Sequence, residues 1–323
     1  MANEFFHLRL RPWGLLGALG FLAACATLAG FFGSQAWWLE ILSHFRAQYV
    51  LFFLLLAGLY ALGRKHRWTA GALGLAGVNA LPIALFLLPP VAMPPASGPV
   101  LRAMMMNVNT RRGDPALVRA AILRENPDLL VLEEISAEWV KSLEPVLAAY
   151  PFRLTEPRPD NFGIGLFSRL PLEAARVEHS GMAELPSLFA EILFDGRPLA
   201  LVATHPLPPA NADLAAERNA QLDWIARQAA ALPHPVLLLG DLNTSPWSPY
   251  YRRLIKTSGL ADSAKGRSIH PTWPSFLPAL WIPLDHALHS EEIAIHARRI
   301  GPTVGSDHFP LVVDFGWAVR PGQ

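Results

Sequence analysis

The chain has a single cysteine, Cys25, and only 16% charged residues among its 323. One cysteine excludes an internal disulfide framework, which agrees with an exported location without demanding one. Neither CxxC nor HExxH spacing occurs, so a zinc site is disfavoured. After residue 99 no basic run exceeds two residues, and acidic side chains slightly outnumber basic ones. The basic excess that favours duplex nucleic acid is therefore missing. No internal repeat is present. With 52% hydrophobic residues and positive mean hydropathy, the sequence is too apolar for one ordinary soluble domain and fits a membrane part joined to a globular part.

The apolar excess is concentrated near the N-terminus. Residues 13–32 carry no charge, matching the roughly 20 residues a bilayer-spanning helix requires. Residues 47–63 and 69–88 are also uncharged, the latter with Pro82 as a tolerable kink. Three spans are expected. A cleaved signal peptide competes for the first run, but signal cores are roughly 7–15 residues long and further runs follow. A pair of helices buried in a soluble domain competes for the others, and runs this long and close together argue against it.

Arg9 and Arg11 precede the first run, and Arg64, Lys65 and Arg67 fill the link between the second and third. The link at 33–46 holds Arg46 against Glu40. Basic segments stay in the cytoplasm, so the expectation is a multi-pass plasma-membrane protein with a cytoplasmic N-terminus and a periplasmic or extracellular domain after residue 88. Proline-rich residues 89–99 read as a stiff linker. Residues 100–323 then suffice for one sizeable core.

Within that domain, strand-like runs at 129–132, 163–167, 189–194, 199–203, 236–239 and 311–315 alternate with helical stretches at 114–124 and 210–232. The reading is a mixed α/β domain. Its apolar runs end in polar islands: MMMNVNT (104–110), LLVLEEIS (129–136), LALVATHP (199–206), VLLLGDLNTSP (236–246), PLDHALHS (283–290) and GSDHFP (305–310). Strand ends are where sheet-based folds gather their chemistry. Glu134, Asp241, Asp285 and Asp307 are carboxylates there, and Asn107 and Asn243 add neutral oxygens or amide donors. Hard oxygen donors of this kind favour Mg²⁺, Mn²⁺ or Ca²⁺ over zinc. His205 and His308 can exchange a proton near neutral pH. A metal with a histidine base activates water.

The ordered series NVN, LEE, GIGLFSR, ATHP, GDLN, TWP, LDH and GSDHFP resembles the endonuclease/exonuclease/phosphatase superfamily over residues 101–315, and within it the bacterial branch in which membrane spans precede the domain. The resemblance implies a four-layer α/β sandwich, two packed β-sheets flanked by helices, that hydrolyses phosphate esters with Mg²⁺ or Mn²⁺. It implies Glu134 as a direct metal ligand, with Asn107 and Asp307 as further contacts to the metal or its waters. Asp241 and Asn243 would orient the nucleophile and contact phosphoryl oxygens. His308 would be the base, Asp285 its orienter, and His205 a phosphate ligand or leaving-group acid. Glu133 stands where many relatives carry glutamine; it could turn outward or alter metal affinity, and because neighbouring strand residues face opposite sides an outward or supporting place is favoured. No counterpart is found for the active-site tyrosine of some nucleases of the group.

Several other residues have plainer readings. Asn109 serves equally as turn former or phosphate contact, Ser168 and Arg169 as turn residues, and Trp273 as core packing more than substrate stacking. His179, His234, His270, His289 and His296 lack supporting neighbours. Phe276, Leu277, Leu280, Trp281 and Ile282 directly precede Asp285, and such an apolar loop either packs inward or dips into a membrane interface. The substrate stays open between a lipid headgroup and nucleic acid, a catalytically silent binding module is the outside alternative, and no protein partner is inferable.

Overall fold

A computed structural model describes residues 12–89 and 96–319, and the chain divides into two compact units, Met1–Leu85 and Phe86–Gln323.

The first unit is helical: α1 (Pro12–Ala29) continuing into a 3₁₀ turn (Gly30–Phe32), α2 (Trp37–Ser43), α3 (Arg46–Leu62) and α4 (His66–Leu87). Pro12–Phe32 and His66–Leu87 are long and apolar enough to cross a membrane. The expected middle span is shorter. It reaches that class only if α2 and α3 form one span bent by 61° at their junction. Outward-facing Phe21, Leu51 and Leu62 are strongly exposed, the reverse of a bundle built for water. Arg46 is not a loop charge: it opens α3, is buried, and donates Nη1 to Asn79 Oδ1 at 3.2 Å, while Asn79 Nδ2 donates to Thr27 Oγ1 at 3.0 Å.

The second unit runs β1 (Ala96–Asn107), α5 (Pro115–Glu125), β2 (Leu129–Glu133), α6 (Ala137–Leu147), β3 (Phe152–Glu156), β4 (Ile164–Ser168), β5 (Glu173–Ser180), β6 (Leu185–Phe194), β7 (Arg197–Thr204), α7 (Ala212–Ala231), β8 (Val236–Asp241), α8 (Pro249–Ser258), β9 (Ala261–Asp262), β10 (Asp285–His289), β11 (Ile293–Ile300) and β12 (Leu311–Ala318). Two six-stranded sheets form, ordered β11-β12-β1-β2-β4-β3 and β5-β6-β7-β8-β10-β9. This is the two-sheet α/β sandwich with flanking helices. β1 begins inside the segment read as linker, where Ser97 pairs with Trp317; residues 90–95 of that segment lie outside the described residues.

The helices start and stop on local signals. Asp114 caps α5 by accepting from Ala116 N and Leu117 N, with Pro115 in the first turn, and left-handed Asn126 ends it. Ser136, Asn211 and Ser248 cap α6, α7 and α8 in the same way. Each sheet is centred on one parallel pair, β1/β2 and β7/β8, and every other pairing is antiparallel. α5 and α7 supply the crossovers a parallel pair needs. Alternate residues of the central strands, such as Met105, Val131, Leu201 and Leu239, meet in the core between the sheets. Their neighbours in β1 and β2, such as Met104 and Leu132, pack under α5 and α6; Val202 and Leu238 pack under α7 and α8.

Candidate active site

The two-residue period of the strands builds the site. Ala103 and Met105 face the inter-sheet core, so Asn107 faces it next; Leu129 and Val131 lead to Glu133, Leu237 and Leu239 to Asp241, and Leu201 and Ala203 to His205 just past β7. On β10, Ala287 faces the core and so does Asp285 two residues earlier. In register, Asn107 lies beside Glu133 and Asp285 opposite Asp241. The inter-sheet core is thus apolar along its length and turns polar at one end.

Asp241 is the hub of that end. Its Oδ2 is 3.4 Å from Asn107 Nδ2, 3.4 Å from His308 Nε2 and 3.6 Å from His205 Nε2. Its Oδ1 accepts the backbone N–H of Asn243 at 2.9 Å. Asp285 Oδ2 lies 2.9 Å from His308 Nδ1, so the two side chains are paired at the distance a base and its orienter would need. Thr272 Oγ1 fixes that carboxylate's strand by accepting from Leu284 N and Asp285 N, both at 3.1 Å. His308 is held in turn by its own N–H to Ser306 Oγ at 3.0 Å.

Glu134 sits just beyond β2 with φ +60°, so the chain turns its side chain back to the same end. Its Oε1 accepts from Asn107 Nδ2 at 2.9 Å and its Oε2 from Thr110 N at 3.3 Å. Asn109 and Asn243 are also left-handed, at φ +51° and +48°. Three non-glycine residues in that region within one site is the kind of strain that persists where the surroundings over-determine it. Asp307 accepts from Asn109 Nδ2 at 2.6 Å and Trp273 Nε1 at 3.1 Å. None of the other site carboxylates is its hydrogen-bond partner; burial raises the pKa of Glu134, and the Asp307 charge adds a lesser push in the same direction.

The structure therefore brings Asn107, Glu134, His205, Asp241, Asp285 and His308 together, with Asp307 joined through Asn109. Asn243 is present but its Nδ2 donates to the Pro206 carbonyl at 2.9 Å. Glu133 does not turn outward: it is fully buried between the sheets and accepts the backbone N–H of Asp241, because strand parity puts it on the same face as Val131. Sequence reading undervalued Asn109 and Trp273, which hold Asp307, and missed Phe162, whose ring lies 5.5 Å from that of His205. Asn109 had a signal in the NVN repeat of amides; Phe162 had none beyond its place ahead of β4.

Electrostatics follow from burial. Burial raises the carboxyls of Glu133, Glu134 and Asp241, most strongly that of Glu133, and lowers the imidazole of His205. Burial also disfavours the charged form of His308, but the Asp285 and Asp241 carboxylates overcome it and raise its pKa to about 10. Asp285 Oδ1 and His205 Nδ1 are buried with no hydrogen-bond partner. One atom each from Asp241, Asp285 and His308 lies within 4.8 Å of the others, close enough to share a cation. Clustered carboxylates outnumbering their cationic partners, with a buried orphan oxygen among them, fit a hard divalent cation of the Mg²⁺ or Mn²⁺ kind.

The sequence model of the Endonuclease/Exonuclease/phosphatase family matches residues 106–308. No curated protein sequence matches the chain. Among solved structures, an endonuclease/exonuclease/phosphatase from Beutenbergia cavernae is similar at TM-score 0.56 and 21% identity, over 69% of this chain and 73% of that one. D. rerio TDP2 complexed with a single-strand DNA product is similar at TM-score 0.55 and 16% identity, over 68% of this chain and all of that one. The human Nocturnin catalytic domain with a bound sulfate anion is similar at TM-score 0.54 and 19% identity, over 68% of this chain and 94% of that one. With its fold and its matched span in agreement, the chain belongs to the endonuclease/exonuclease/phosphatase family, hydrolases of phosphoester bonds.

Proposed function

We propose that this protein is a membrane-anchored, divalent-metal-dependent phosphodiesterase in which His308 activates the attacking water. The observation that carries the proposal is the 2.9 Å pairing of Asp285 with His308 Nδ1 at the polar end of the inter-sheet core, beside Glu134 and Asp241.

Asp285 accepts from Nδ1–H, and once a bound cation offsets the Asp285 and Asp241 charges that hold the imidazole near pKa 10, His308 Nε2 would be the atom free to take a proton from water. The water oxygen bonds to phosphorus as the ester oxygen departs with the bonding pair; that oxygen takes up a proton from solvent, and His308 releases the water's proton to solvent. Asp241 holds Nε2 and the nucleophile in one place. His205, kept neutral by burial, suits hydrogen bonding to a phosphoryl oxygen better than proton donation. Phe162 fixes its ring. Glu134, Asn107 and Asp307 would hold Mg²⁺ or Mn²⁺, with Asp241 and Asp285 close by. When bound, such an ion neutralises charge on the phosphoryl oxygens.

The anchor is the helical unit, inserted with the N-terminus cytoplasmic and the catalytic unit periplasmic or extracellular. Burial of Arg46 strengthens that orientation, because it removes the only basic residue from the first link and leaves Arg64, Lys65 and Arg67 as the basic loop. The test is turnover of bis-p-nitrophenyl phosphate by the detergent-solubilised full chain with Mg²⁺ or Mn²⁺, repeated in EDTA and with His308→Ala. Metal-dependent turnover lost in the variant supports the reading; turnover unaffected by both sinks it.

A further inference from the structure

The segment between β9 and β10 is pinned at its base and apolar at its tip. From residue 271 to 284 it contains no charged side chain. Its stem closes on itself: Trp273 N donates to Ile282 O at 3.1 Å and Ile282 N to Trp273 O at 2.7 Å. The same stem is tied to the other catalytic segment. Ser275 N donates to Asp307 O at 2.7 Å, Ser275 Oγ to Ser306 O at 2.7 Å, and Phe309 N to Thr272 O at 2.8 Å. Trp273 Nε1 reaches the Asp307 carboxylate. The base of this loop is therefore part of the site.

Its tip turns the other way. Phe276 is 66% exposed and Leu277 and Leu280 are 40% exposed each, carried on the short turn Pro278–Leu280. Among the described residues of this unit, no other stretch of five exposes more than one large apolar side chain; Leu88, Val100, Leu117, Leu123, Phe152, Met182 and Leu193 stand apart. Scattered apolar residues need no explanation, but a charge-free cluster on a rigid stem beside a catalytic mouth does.

The occupant with support is a lipid surface. The chain carries two helices long and apolar enough to cross a membrane. The eight residues between α4 and β1 reach at most about 28 Å when extended, so an α4 that spans a bilayer would tether the start of β1 within that length of it. Half-buried Trp281, edge-on to Phe309 at 5.9 Å, places an indole at the base of the tip, a side chain that favours the headgroup region of bilayers.

We propose that residues 276–280 are an interfacial anchor that enters the headgroup layer and holds the catalytic mouth against phosphodiesters carried by lipids. The substrate class rests on the hydrolase reading above; the insertion does not.

The test uses the full chain in nanodiscs of phosphatidylcholine and phosphatidylglycerol. An environment-sensitive fluorophore on Phe276→Cys, in a Cys25→Ala background, should show blue-shifted emission and quenching by doxyl-labelled lipid, while the same probe on Met182→Cys reports water. A water-like signal from the Phe276 position overturns the anchor. In Phe276→Ser/Leu277→Ser/Leu280→Ser, turnover of vesicle-borne phosphodiester should fall about tenfold, and turnover of bis-p-nitrophenyl phosphate should stay within about twofold. An equal fall on both substrates would assign the tip to the fold and overturn the proposal. If the unaltered chain hydrolyses neither, the hydrolase reading and the substrate class fall together, while the fluorescence still decides the insertion.

Discussion

Both carboxylate oxygens of Glu133, on β2 of one sheet, lie within hydrogen-bond reach of the backbone N–H of Asp241, on β8 of the other, at 3.2 and 3.1 Å. The contact joins the two sheets directly beneath the hub of the site. Burial, then the charges of Asp241 and Asp285, push the Glu133 carboxyl well above its usual range, so what the Asp241 amide needs is an acceptor and not a charge. Glu133→Gln keeps that acceptor and is expected to hold both melting temperature and kcat near the original. Glu133→Leu leaves a buried amide unpaired and should destabilise the unit by about 1–3 kcal/mol. Thermal unfolding of the two variants side by side checks this, and equal losses would show that the contact is incidental.

His308 and Asp285 form a unit of base and orienter. His308→Ala should lower kcat by about a hundredfold or more without changing the far-ultraviolet circular dichroism. Asp285→Asn removes the carboxylate that selects the tautomer and should act in the same direction on kcat, with little change in KM. A large KM effect from Asp285→Asn would place that residue in substrate binding.

The charge on His308 sets a pH dependence of stability. Its folded-state pKa of about 10 exceeds the ordinary 6.5, so the stabilisation is complete below the ordinary value and is lost as pH rises through the folded one. In EDTA, the melting temperature should therefore fall as pH is raised from about 6.5 towards 10, and His308→Gln should flatten the slope. A divalent cation competes with the imidazolium proton for the same carboxylates, so Mg²⁺ binding should release protons, measurable by calorimetry in buffers of different ionisation enthalpy. Identical slopes in the original chain and in His308→Gln would assign the dependence to other groups.

Glu134→Gln should raise the Mg²⁺ or Mn²⁺ concentration for half-maximal rate about tenfold or more. Unchanged metal dependence would remove Glu134 from the ion's ligands.

For orientation, a phosphatase reporter fused after Gln323 should be active only on the periplasmic or outer face. Activity confined to the cytoplasm would reverse the assignment.

Much of the catalytic unit was legible because alternation and capping are local. The run ending in Asp241 declares β8, and Asp114 before Pro115 declares the start of α5. Strands β5 and β11 were not legible: EAARVEHS and IAIHARRI carry charges on a face that only the assembled sheet leaves in water, so neither shows the apolar alternation of a half-buried strand. The inward direction of Glu133 follows from parity with Val131, yet which side of β2 faces the other sheet is a tertiary fact. Glu134, Asn109 and Asn243 are aimed by left-handed backbone, which sequence shows only as amides and acids at strand ends. The roles of Asn109 and Trp273 around Asp307 depend on contacts between segments far apart in the chain.

Asp241 Oδ2 lies 3.4 to 3.6 Å from nitrogens of three different side chains, and one oxygen cannot serve all three fully at once. The consequence is epistasis. A change at His205 shifts what Asp241 offers His308, and a change at Asn107 frees the oxygen for both, so effects at these positions will not sum. The tolerance of any one of these positions is therefore expected to depend on which residues occupy the other two.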